Sequence, residues 1–288
     1  MLPVLASILA LGALCVAYGI VIERSWYRVV RRRLDILPAG ARPLTVLHLS
    51  DLHFRRMDER KARFLASLPA PDLAVVTGDF LAEPEGVEAA AAGVRPVRGR
   101  LGSWFVLGSN DYFQPRPLNY LAYFRKGRRR RRVRRGRDRD LVRELVADGW
   151  ADLTNVRRDV SLDGLAVELL GLDDAHVQRH DLRVAPRSNL GRLGIAVMHS
   201  PDSAPEAAAL GYDLVLAGHT HGGQVRLPLV GALTTNSSMP PRLVSGLIRM
   251  GSAVLHTSPG LGTSKYAPFR FWCRPEATLL ELRPRASR

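Results

Sequence analysis

Five short apolar runs in this chain end directly on side chains that bind metals or phosphate. The runs are LTVLHL at 44–49, LAVVT at 73–77, SWFVL at 103–107, GIAVM at 194–198 and LVLA at 214–217. Runs of this length, separated by loop or helical stretches, predict the strands of an α/β layered structure. Because ligand sites in such folds collect at the carboxyl ends of the strands, the sequence predicts one shared site there.

The residues that follow these runs offer nitrogen and oxygen ligands and no sulfur. They are Asp51, His53, Asp79, Asn110, Asp111, His199, His219 and His221. Taken singly, each has a plainer interpretation, since a strand-end aspartate commonly caps a turn. Together, imidazoles and carboxylates favour Mn²⁺, Fe or Zn²⁺ over Ca²⁺. The most specific stretch is GHTHGGQ at 218–224, because its glycines leave the backbone free for two imidazoles to converge.

The order of these motifs resembles that of the calcineurin-like metallophosphoesterases over residues 44–282. The motifs are Asp-x-His, Gly-Asp, GSND, His and Gly-His-x-His. The N-terminal apolar segment and the closing GLGTSKYAPFRFWCRPEATLLEL are similar to one branch, the membrane-anchored bacterial phosphodiesterases related to UDP-2,3-diacylglucosamine pyrophosphohydrolases. The resemblance implies a four-layer α/β/β/α sandwich and hydrolysis of a phosphodiester or pyrophosphate bond.

The resemblance also implies a site of two divalent metal ions, which clamp the attacking and leaving oxygens of an in-line displacement. It assigns the first metal to Asp51, His53 and His221. It assigns the second metal to His199, His219 and the asparagine of the third motif. Asp79 would bridge the two ions. On this basis the residues predicted to act in catalysis are Asp79, Asn110, Asp111 and His219.

The third motif, GSND at 108–111, departs from the usual Gly-Asn-His-Asp. Aligned without a gap, Ser109 takes the ligand position and Asn110 the histidine position. When the alignment is shifted by one residue, Asn110 takes the metal-ligand position and Asp111 takes the position of the general acid. Serine is a poor ligand for a divalent ion, which favours Asn110. Either alignment lacks the usual acid, which contributes ~10²–10⁴-fold, so substrates with good leaving groups are expected.

The N-terminal residues 2–22 carry no charged side chain. As a helix at ~1.5 Å per residue they span about 31 Å, the hydrocarbon thickness of a bilayer. We therefore expect a single-pass transmembrane anchor at 1–23. A cleaved signal peptide is the alternative, but no basic residue precedes the run and no clear cleavage site follows it.

Arginines follow the apolar segment at 24, 28 and 31–33. By the positive-inside rule they predict a catalytic domain on the cytoplasmic side of the cell membrane, and an export route would reverse this orientation. Residues 24–43 are expected to form a basic juxtamembrane linker. Residues 44–288 are expected to form the metallophosphoesterase domain.

The formal net charge of +15 is concentrated at 125–139, where RKGRRRRRVRRGRDR carries eleven positive side chains and one aspartate. Like charges at this density predict a disordered insertion. Near an anchor, the segment is expected to contact anionic lipid, at ~1 kcal/mol per basic residue. Nucleic acid is the less favoured partner, because no aromatic residue interrupts the run.

Three functions remain open at this point. The leading hypothesis is a membrane-anchored binuclear phosphoesterase acting on a phosphate-containing substrate, either lipid-linked or a nucleotide. A nuclease of the same superfamily and a non-catalytic scaffold that binds membranes or partners are the alternatives. A further stretch, GLDDAH at 171–176, predicts substrate contacts by Asp173, Asp174 and His176 or, equally, a polar turn.

Overall fold

The computed structural model describes residues 2–115 and 135–285. The strands in them are β1 Arg28–Leu37, β2 Leu44–Leu49, β3 Leu73–Thr77, β4 Gly102–Val106, β5 Ala151–Asp152, β6 Val156–Leu162, β7 Leu165–Leu172, β8 Leu193–Met198, β9 Leu214–Ala217, β10 Arg226–Leu227, β11 Gly231–Ala232, β12 Gly246–Met250, β13 Ala253–Thr257 and β14 Glu276–Pro284. The α-helices in them are α1 Leu2–Val21, α2 Glu59–Ala66, α3 Val87–Val94, α4 Ser109–Tyr112, α5 Asp138–Ala147 and α6 Ala204–Ala209.

Most of these strands form two six-stranded sheets. The first sheet has the order β1-β14-β2-β3-β4-β5 and the second β12-β13-β9-β8-β7-β6. The inner strands β2, β3 and β4 pair in parallel, as do β7, β8 and β9. Parallel strands buried on both faces require nearly continuous apolar sequence. The five apolar runs are confirmed as β2, β3, β4, β8 and β9.

The sheets pack face to face with helices on both outer surfaces. The cluster between the sheets contains Val46, Val75, Ile195 and Leu216, all nearly inaccessible to solvent. Burial of each such side chain contributes ~1.5–3 kcal/mol. Helices α2, α3 and α5 cover the first sheet, and α6 covers the second. The predicted four-layer α/β/β/α sandwich is confirmed.

Half of the linker predicted at 24–43 is a strand, which corrects that part of the prediction. Residues 28–37 form β1, which pairs in parallel with β14 along its length and places Arg28 opposite Glu276. Leu34 and Ile36 of β1 are buried against the sheet, whereas its arginines face solvent. An edge strand with one charged face lacks the apolar signature of the inner strands. The folded domain therefore includes β1.

One described helix, Pro3–Ser25, is long and apolar enough to cross a membrane, with a mean hydropathy of 2.4. Only 6% of its most apolar stretch is buried within the protein. Its side chains thus face outwards along most of the helix, as those of a membrane anchor would.

The arginine-rich insertion predicted at 125–139 is described only in part. Residues 125–134 lie outside the described residues. The end of the segment is folded, because Arg135 forms a bridge with Phe113 and α5 begins at Asp138. The prediction of disorder is therefore wrong for residues 135–139.

Candidate metal centre

The carboxyl ends of strands from both sheets bring six predicted ligands to one place. Five of these residues have left-handed backbone angles, with φ of 48° at Asp51, 46° at His53, 54° at Asp79, 68° at His219 and 50° at His221. Side-chain-bearing residues rarely adopt this region, and such strain collects at functional sites. The strained backbone thus coincides with the sequence motifs.

The first metal position lies between Asp51, His53 and His221, beside Asp79. The Nε2 atoms of His53 and His221 are 3.2 Å apart. His221 Nε2 lies 3.5 Å from Asp51 Oδ1. One potential ligand atom from each of the four residues lies within 4.8 Å of the others. Four donors therefore converge on a space the size of a single ion.

The second metal position was predicted at His199 and His219, whose Nε2 and Nδ1 atoms are 3.3 Å apart. His199 Nδ1 is 2.7 Å from the carbonyl oxygen of Thr77, and His219 Nε2 is 3.4 Å from that of Asn236. A carbonyl oxygen only accepts, so these two ring nitrogens donate. His199 Nε2 and His219 Nδ1, the other nitrogen of each ring, face one another, which is the orientation that two imidazoles binding one metal require.

Asp79 lies between the two positions and reaches both. Its Oδ2 is 3.5 Å from His53 Nε2, and its Oδ1 is 3.6 Å from His199 Nε2. Close packing holds it there, because a Cβ on Gly78 would lie 2.6 Å from the Gly108 nitrogen and 2.9 Å from His199 Nδ1. One oxygen for each position is the arrangement that a bridging carboxylate requires.

The partners of Asp51 test whether this donor set fits a cation. Its Oδ2 accepts hydrogen bonds from Ser50 Oγ at 2.6 Å and from the His219 backbone N–H at 2.9 Å. Its Oδ1 is buried and accepts no hydrogen bond from the described residues. A buried carboxylate oxygen without a donor is costly, and a cation would remove that cost. The residues therefore fit divalent metal ions.

Burial and neighbouring carboxylates act in opposite directions on the protonation of the histidines. Burial lowers the pKa of His53 to about 4 and that of His221 to about 3, so both are neutral near pH 7. Burial also opposes the charge on His199, but the carboxylates of Asp79, Asp174 and Asp51 outweigh it and raise its pKa to about 10. Metal binding displaces protons from such ligands.

The third motif places Asn110 beside the bridging carboxylate. The Asn110 backbone N–H donates to Asp79 Oδ1 at 2.8 Å, and its side-chain amide donates to Asp79 Oδ2 at 2.5 Å. This contact supports the shifted alignment, in which Asn110 rather than Ser109 belongs to the metal centre. The residue offers no group that titrates near pH 7 and could replace the missing histidine.

Asp111 takes a structural position instead of the catalytic one predicted for it. Its Oδ1 accepts from the Leu81 N–H at 3.1 Å and its Oδ2 from the Gly108 N–H at 3.0 Å. The side chain is fully buried, and burial together with the charge of Asp79 raises its pKa to about 8. One oxygen thus holds the start of α4, and the other connects it to the segment that follows β3.

The segment after β7 contributes two residues beside the second position. The rings of His176 and His219 have centroids 4.5 Å apart. Asp174 is buried, its Oδ1 accepts from the His176 N–H at 2.8 Å, and its Oδ2 accepts no hydrogen bond from the described residues. The only sequence signal was an acidic pair after an apolar run. The geometry favours the substrate-contact interpretation for Asp174 and His176.

One wall of the metal centre is joined to the end of α1. The Glu23 carboxylate accepts from the backbone N–H groups of Trp272 at 2.9 Å and Cys273 at 2.5 Å. Cys273 Sγ in turn lies 3.3 Å from the carbonyl oxygen of His221. The Arg270 backbone N–H donates to the Gly19 carbonyl at 3.3 Å. A few residues thus separate the apolar helix from a metal ligand.

Beneath this wall, the guanidinium of Arg270 is fully buried and bonded to backbone carbonyls. It donates to Pro259 at 2.7 Å, to Gly262 at 2.6 Å and to Cys273 at 3.2 Å. The Gly262 N–H in turn donates to the Asp51 carbonyl at 2.6 Å. Arg270 therefore fixes the loop that supports the first position.

Comparison with known proteins agrees with this geometry. The calcineurin-like phosphoesterase family model matches residues 44–223. The chain is 30% identical over 266 residues to Phosphodiesterase YaeI of Escherichia coli strain K12, covering 90% of each chain. It is 26% identical over 261 residues to the uncharacterized metallophosphoesterase YkuE of Bacillus subtilis strain 168, covering 86% of this chain and 82% of YkuE.

A third relative carries the name of a pyrophosphatase. The chain is 26% identical over 317 residues to UDP-2,3-diacylglucosamine pyrophosphatase LpxG of Chlamydia trachomatis, covering 96% of this chain and 95% of LpxG. The family match spans more than half of the chain and includes the converging Asp and His residues. The chain therefore belongs to the calcineurin-like phosphoesterases and is a metal-dependent phosphoric ester hydrolase with a dinuclear divalent metal centre.

Proposed function

We propose that this hydrolase is anchored in the cell membrane by α1 and cleaves a phosphodiester or pyrophosphate bond of a lipid-linked substrate at the bilayer surface. The main support for the proposal is the hydrogen-bonded contact between the end of α1 and the wall of the metal centre. Glu23, at the end of the apolar helix, binds the backbone beside Cys273, which contacts His221. A helix that crosses a bilayer and ends there holds the metal centre close to the lipid headgroups.

The predicted ligands would hold the metal ions, and the third motif would determine which leaving groups the enzyme accepts. When bound, divalent metal ions polarise phosphoryl oxygens and activate the attacking water. Asp51, His53 and His221 would hold one ion, His199, His219 and Asn110 the other, and Asp79 both. The shifted alignment places Asp111 where an acid would be expected, but both of its oxygens are held by backbone N–H groups, and Asn110 carries no acidic proton. The chain is therefore suited to leaving groups that depart without protonation, such as the phosphate of a pyrophosphate.

A second apolar surface supports contact with the bilayer. The hairpin of β10 and β11 follows the metal-binding loop directly, and its tip exposes Leu229 fully and Val230 at 69%. The hairpin lies beside α1, because Val225 pairs with Phe271 and the Phe271 ring contacts Tyr18 edge-on at 6.3 Å. Exposed apolar patches of this kind mark interaction surfaces. The anchor and the hairpin tip would meet the same bilayer surface.

We also propose that the catalytic domain lies on the cytoplasmic side. Support comes from the arginines that follow α1 at 24, 28 and 31–33, because basic residues close to a spanning helix set its orientation. A carboxyl-terminal fusion to green fluorescent protein tests this placement. Fluorescence in intact cells is expected, and a dark, protease-accessible fusion would reverse the assignment.

The substrate class is tested on the full chain in phosphatidylcholine nanodiscs with Mn²⁺. Dioleoylglycerol pyrophosphate in the same disc, a soluble nucleotide sugar pyrophosphate and single-stranded DNA are offered as substrates. We expect the highest kcat/KM for the lipid and loss of turnover in an Asp79→Asn control. Faster hydrolysis of the soluble nucleotide would refute a lipid-linked substrate, and hydrolysis of DNA alone would favour a nuclease.

A further inference from the structure

We propose that a basic cavity between the end of α1 and α2 binds a second anionic group of the substrate, next to the group that reacts at the metal centre. The inference rests on the proposed function and narrows it. It predicts a membrane amphiphile that carries a phosphoryl or other anionic group beside the scissile phosphoester. The cavity lies outside the metal ligands themselves, except for one shared wall.

The cavity has a volume of about 190 Å³. This space is several times that of a water molecule, so a phosphoryl-sized group fits. One side is formed by the metal ligand His53 and the other by Arg24 and Ser25, in the turn that follows α1. A molecule that fills the cavity therefore touches both the metal centre and the region where the chain leaves the bilayer.

The lining is strongly basic. Arg24, Arg55, Arg60 and Lys61 face the cavity, and Asp58 is the only carboxylate among its described lining residues. Lys61 Nζ lies 2.6 Å from Asp58 Oδ2, so this carboxylate is already paired. Three arginines then remain to balance any further negative charge. Guanidinium groups are the side chains best matched to phosphate oxygens.

None of these three arginines has an acidic partner in the described part of the chain. Among residues 2–115 and 135–285, Arg24, Arg55 and Arg60 have no carboxylate within ion-pair distance. Elsewhere on the surface, paired arginines are common; for example, Arg100 lies 2.9 Å from Asp72 and 2.8 Å from Asp163. Arg55 is half-buried as well. Arg24 is half-buried too, whereas Arg60 is exposed. Unpaired guanidiniums that are partly desolvated beside a phosphate-processing site favour an anionic ligand over a solvated surface.

The backbone of the cavity is fixed by the metal-centre loop. Lys61 Nζ donates to the His53 carbonyl at 3.3 Å. Leu261 and Gly262 complete the lining, and the Gly262 N–H donates to the Asp51 carbonyl. The cavity is thus formed before any ligand binds, and its distance from the first metal position is set by the fold.

Calorimetry on the full chain in nanodiscs with Mn²⁺ tests the cavity independently of turnover. The probes are methylphosphonate, which has one anionic group, and methylenediphosphonate, which has two and is not hydrolysed. The variant Arg55→Gln/Arg60→Gln is compared with Arg158→Gln/Arg249→Gln, a control pair of exposed arginines on the second sheet. Both double variants remove two positive charges.

We expect the cavity variant to bind methylenediphosphonate at least tenfold more weakly than the wild type does, and methylphosphonate less than twofold more weakly. The control variant should bind both probes as the wild type does. Equal weakening of both probes would overturn the inference, because it would reveal a general loss of positive potential. Unchanged binding of both would overturn it too. Neither outcome depends on hydrolysis of bis-p-nitrophenyl phosphate by the wild type. The proposed function is therefore tested separately from the cavity.

A final comparison identifies the source of the second anion. Dioleoylglycerol pyrophosphate in the disc and inorganic pyrophosphate in solution are used as competitors of bis-p-nitrophenyl phosphate. We expect the lipid to compete at least tenfold more strongly than inorganic pyrophosphate in the wild type, and both to compete more weakly in Arg55→Gln/Arg60→Gln, because each carries a second anionic group. Equal competition by the two in the wild type would overturn the assignment to a membrane amphiphile.

Discussion

The two metal positions share Asp79 but lie in different surroundings. The first, between Asp51, His53 and His221, borders the basic cavity and the wall joined to α1. The second, between His199 and His219, borders Asp174 and His176 and lies away from that cavity. In both positions the backbone places the predicted ligands at the ends of strands. The residues around the two positions differ in charge, with arginines near the first and Asp174 near the second. The proposed substrate would therefore lie mainly on the side of the first position.

Removing one ligand from each position should separate the two and have the largest effect. We expect His221→Ala and His219→Ala each to reduce bound Mn²⁺ from two ions to one. A metal supplies several kcal/mol of transition-state stabilisation, so kcat/KM should fall by ~10²-fold or more. Metal analysis and bis-p-nitrophenyl phosphate hydrolysis measure both quantities. Loss of both ions in either variant would show that the positions are not separable.

The third motif decides how the second position is completed. Because Asn110 contacts both oxygens of Asp79, we expect Asn110→Ala to lower the affinity for the second Mn²⁺ and the turnover by ~10–100-fold, as for loss of a metal-supporting residue. The matched control is Ser109→Ala, which should change both by less than twofold. A larger effect of Ser109→Ala would restore the alignment without a gap.

The hairpin tip tests whether the first position faces the bilayer. Each apolar side chain moved from water into lipid is worth ~1.5–3 kcal/mol at full burial, and a hairpin tip inserts partially. We therefore expect Leu229→Ser/Val230→Ser to lower kcat/KM for dioleoylglycerol pyrophosphate by about fivefold. Soluble bis-p-nitrophenyl phosphate should be unaffected. Leu190→Ser, at an exposed leucine before β8, is the control and should change neither.

A buried histidine pair behind the second position should affect stability rather than turnover. His48 and His256 lie 2.7 Å apart through their Nδ1 atoms, and His48 Nε2 is 3.0 Å from the Thr77 hydroxyl. Burial, aided by Arg32, lowers the pKa of His256 to about 3. Since the unfolded state binds this proton near pH 6.5 and the folded state does not, stability falls as the pH falls from about 6.5 to 3.

Replacing His256 should therefore flatten the acid dependence. The proton on one histidine contributes about 1.4 kcal/mol per pH unit to the slope of the unfolding free energy. We expect His256→Gln to reduce the slope by about this amount between pH 6 and 4, in urea unfolding of the detergent-solubilised chain. An unchanged slope would mean that His256 is protonated in the folded state.

The sequence predicted the inner strands correctly, and the Asp and His side chains that it predicted as ligands lie close together, for a physical reason. Strands buried on both faces must be apolar throughout, and side chains at their carboxyl ends necessarily lie near one another. The motifs between Asp51 and His221 therefore predicted where the site lies. No such apolar pattern predicted β1, because its exposed face consists largely of arginine and its partner strand β14 lies at the other end of the chain.

The roles within the third motif also needed three-dimensional contacts. A carboxylate after asparagine can face a metal or cap a helix, and only the hydrogen bonds of Asp111 to Leu81 and Gly108 distinguish these roles. Likewise, the cavity beside His53 joins residues from the turn after α1, from α2 and from the loop at 261–263. No local pattern encodes such a meeting of distant segments.

The central claim is that both positions form one catalytic centre through Asp79. The most direct measurement quantifies bound metal and bis-p-nitrophenyl phosphate turnover for the full chain and for Asp79→Asn, side by side with Mn²⁺. We predict two ions and metal-dependent turnover in the wild type, and loss of turnover with weakened binding of both ions in the variant. A wild type that binds no metal, or a variant as active as the wild type, would contradict the account.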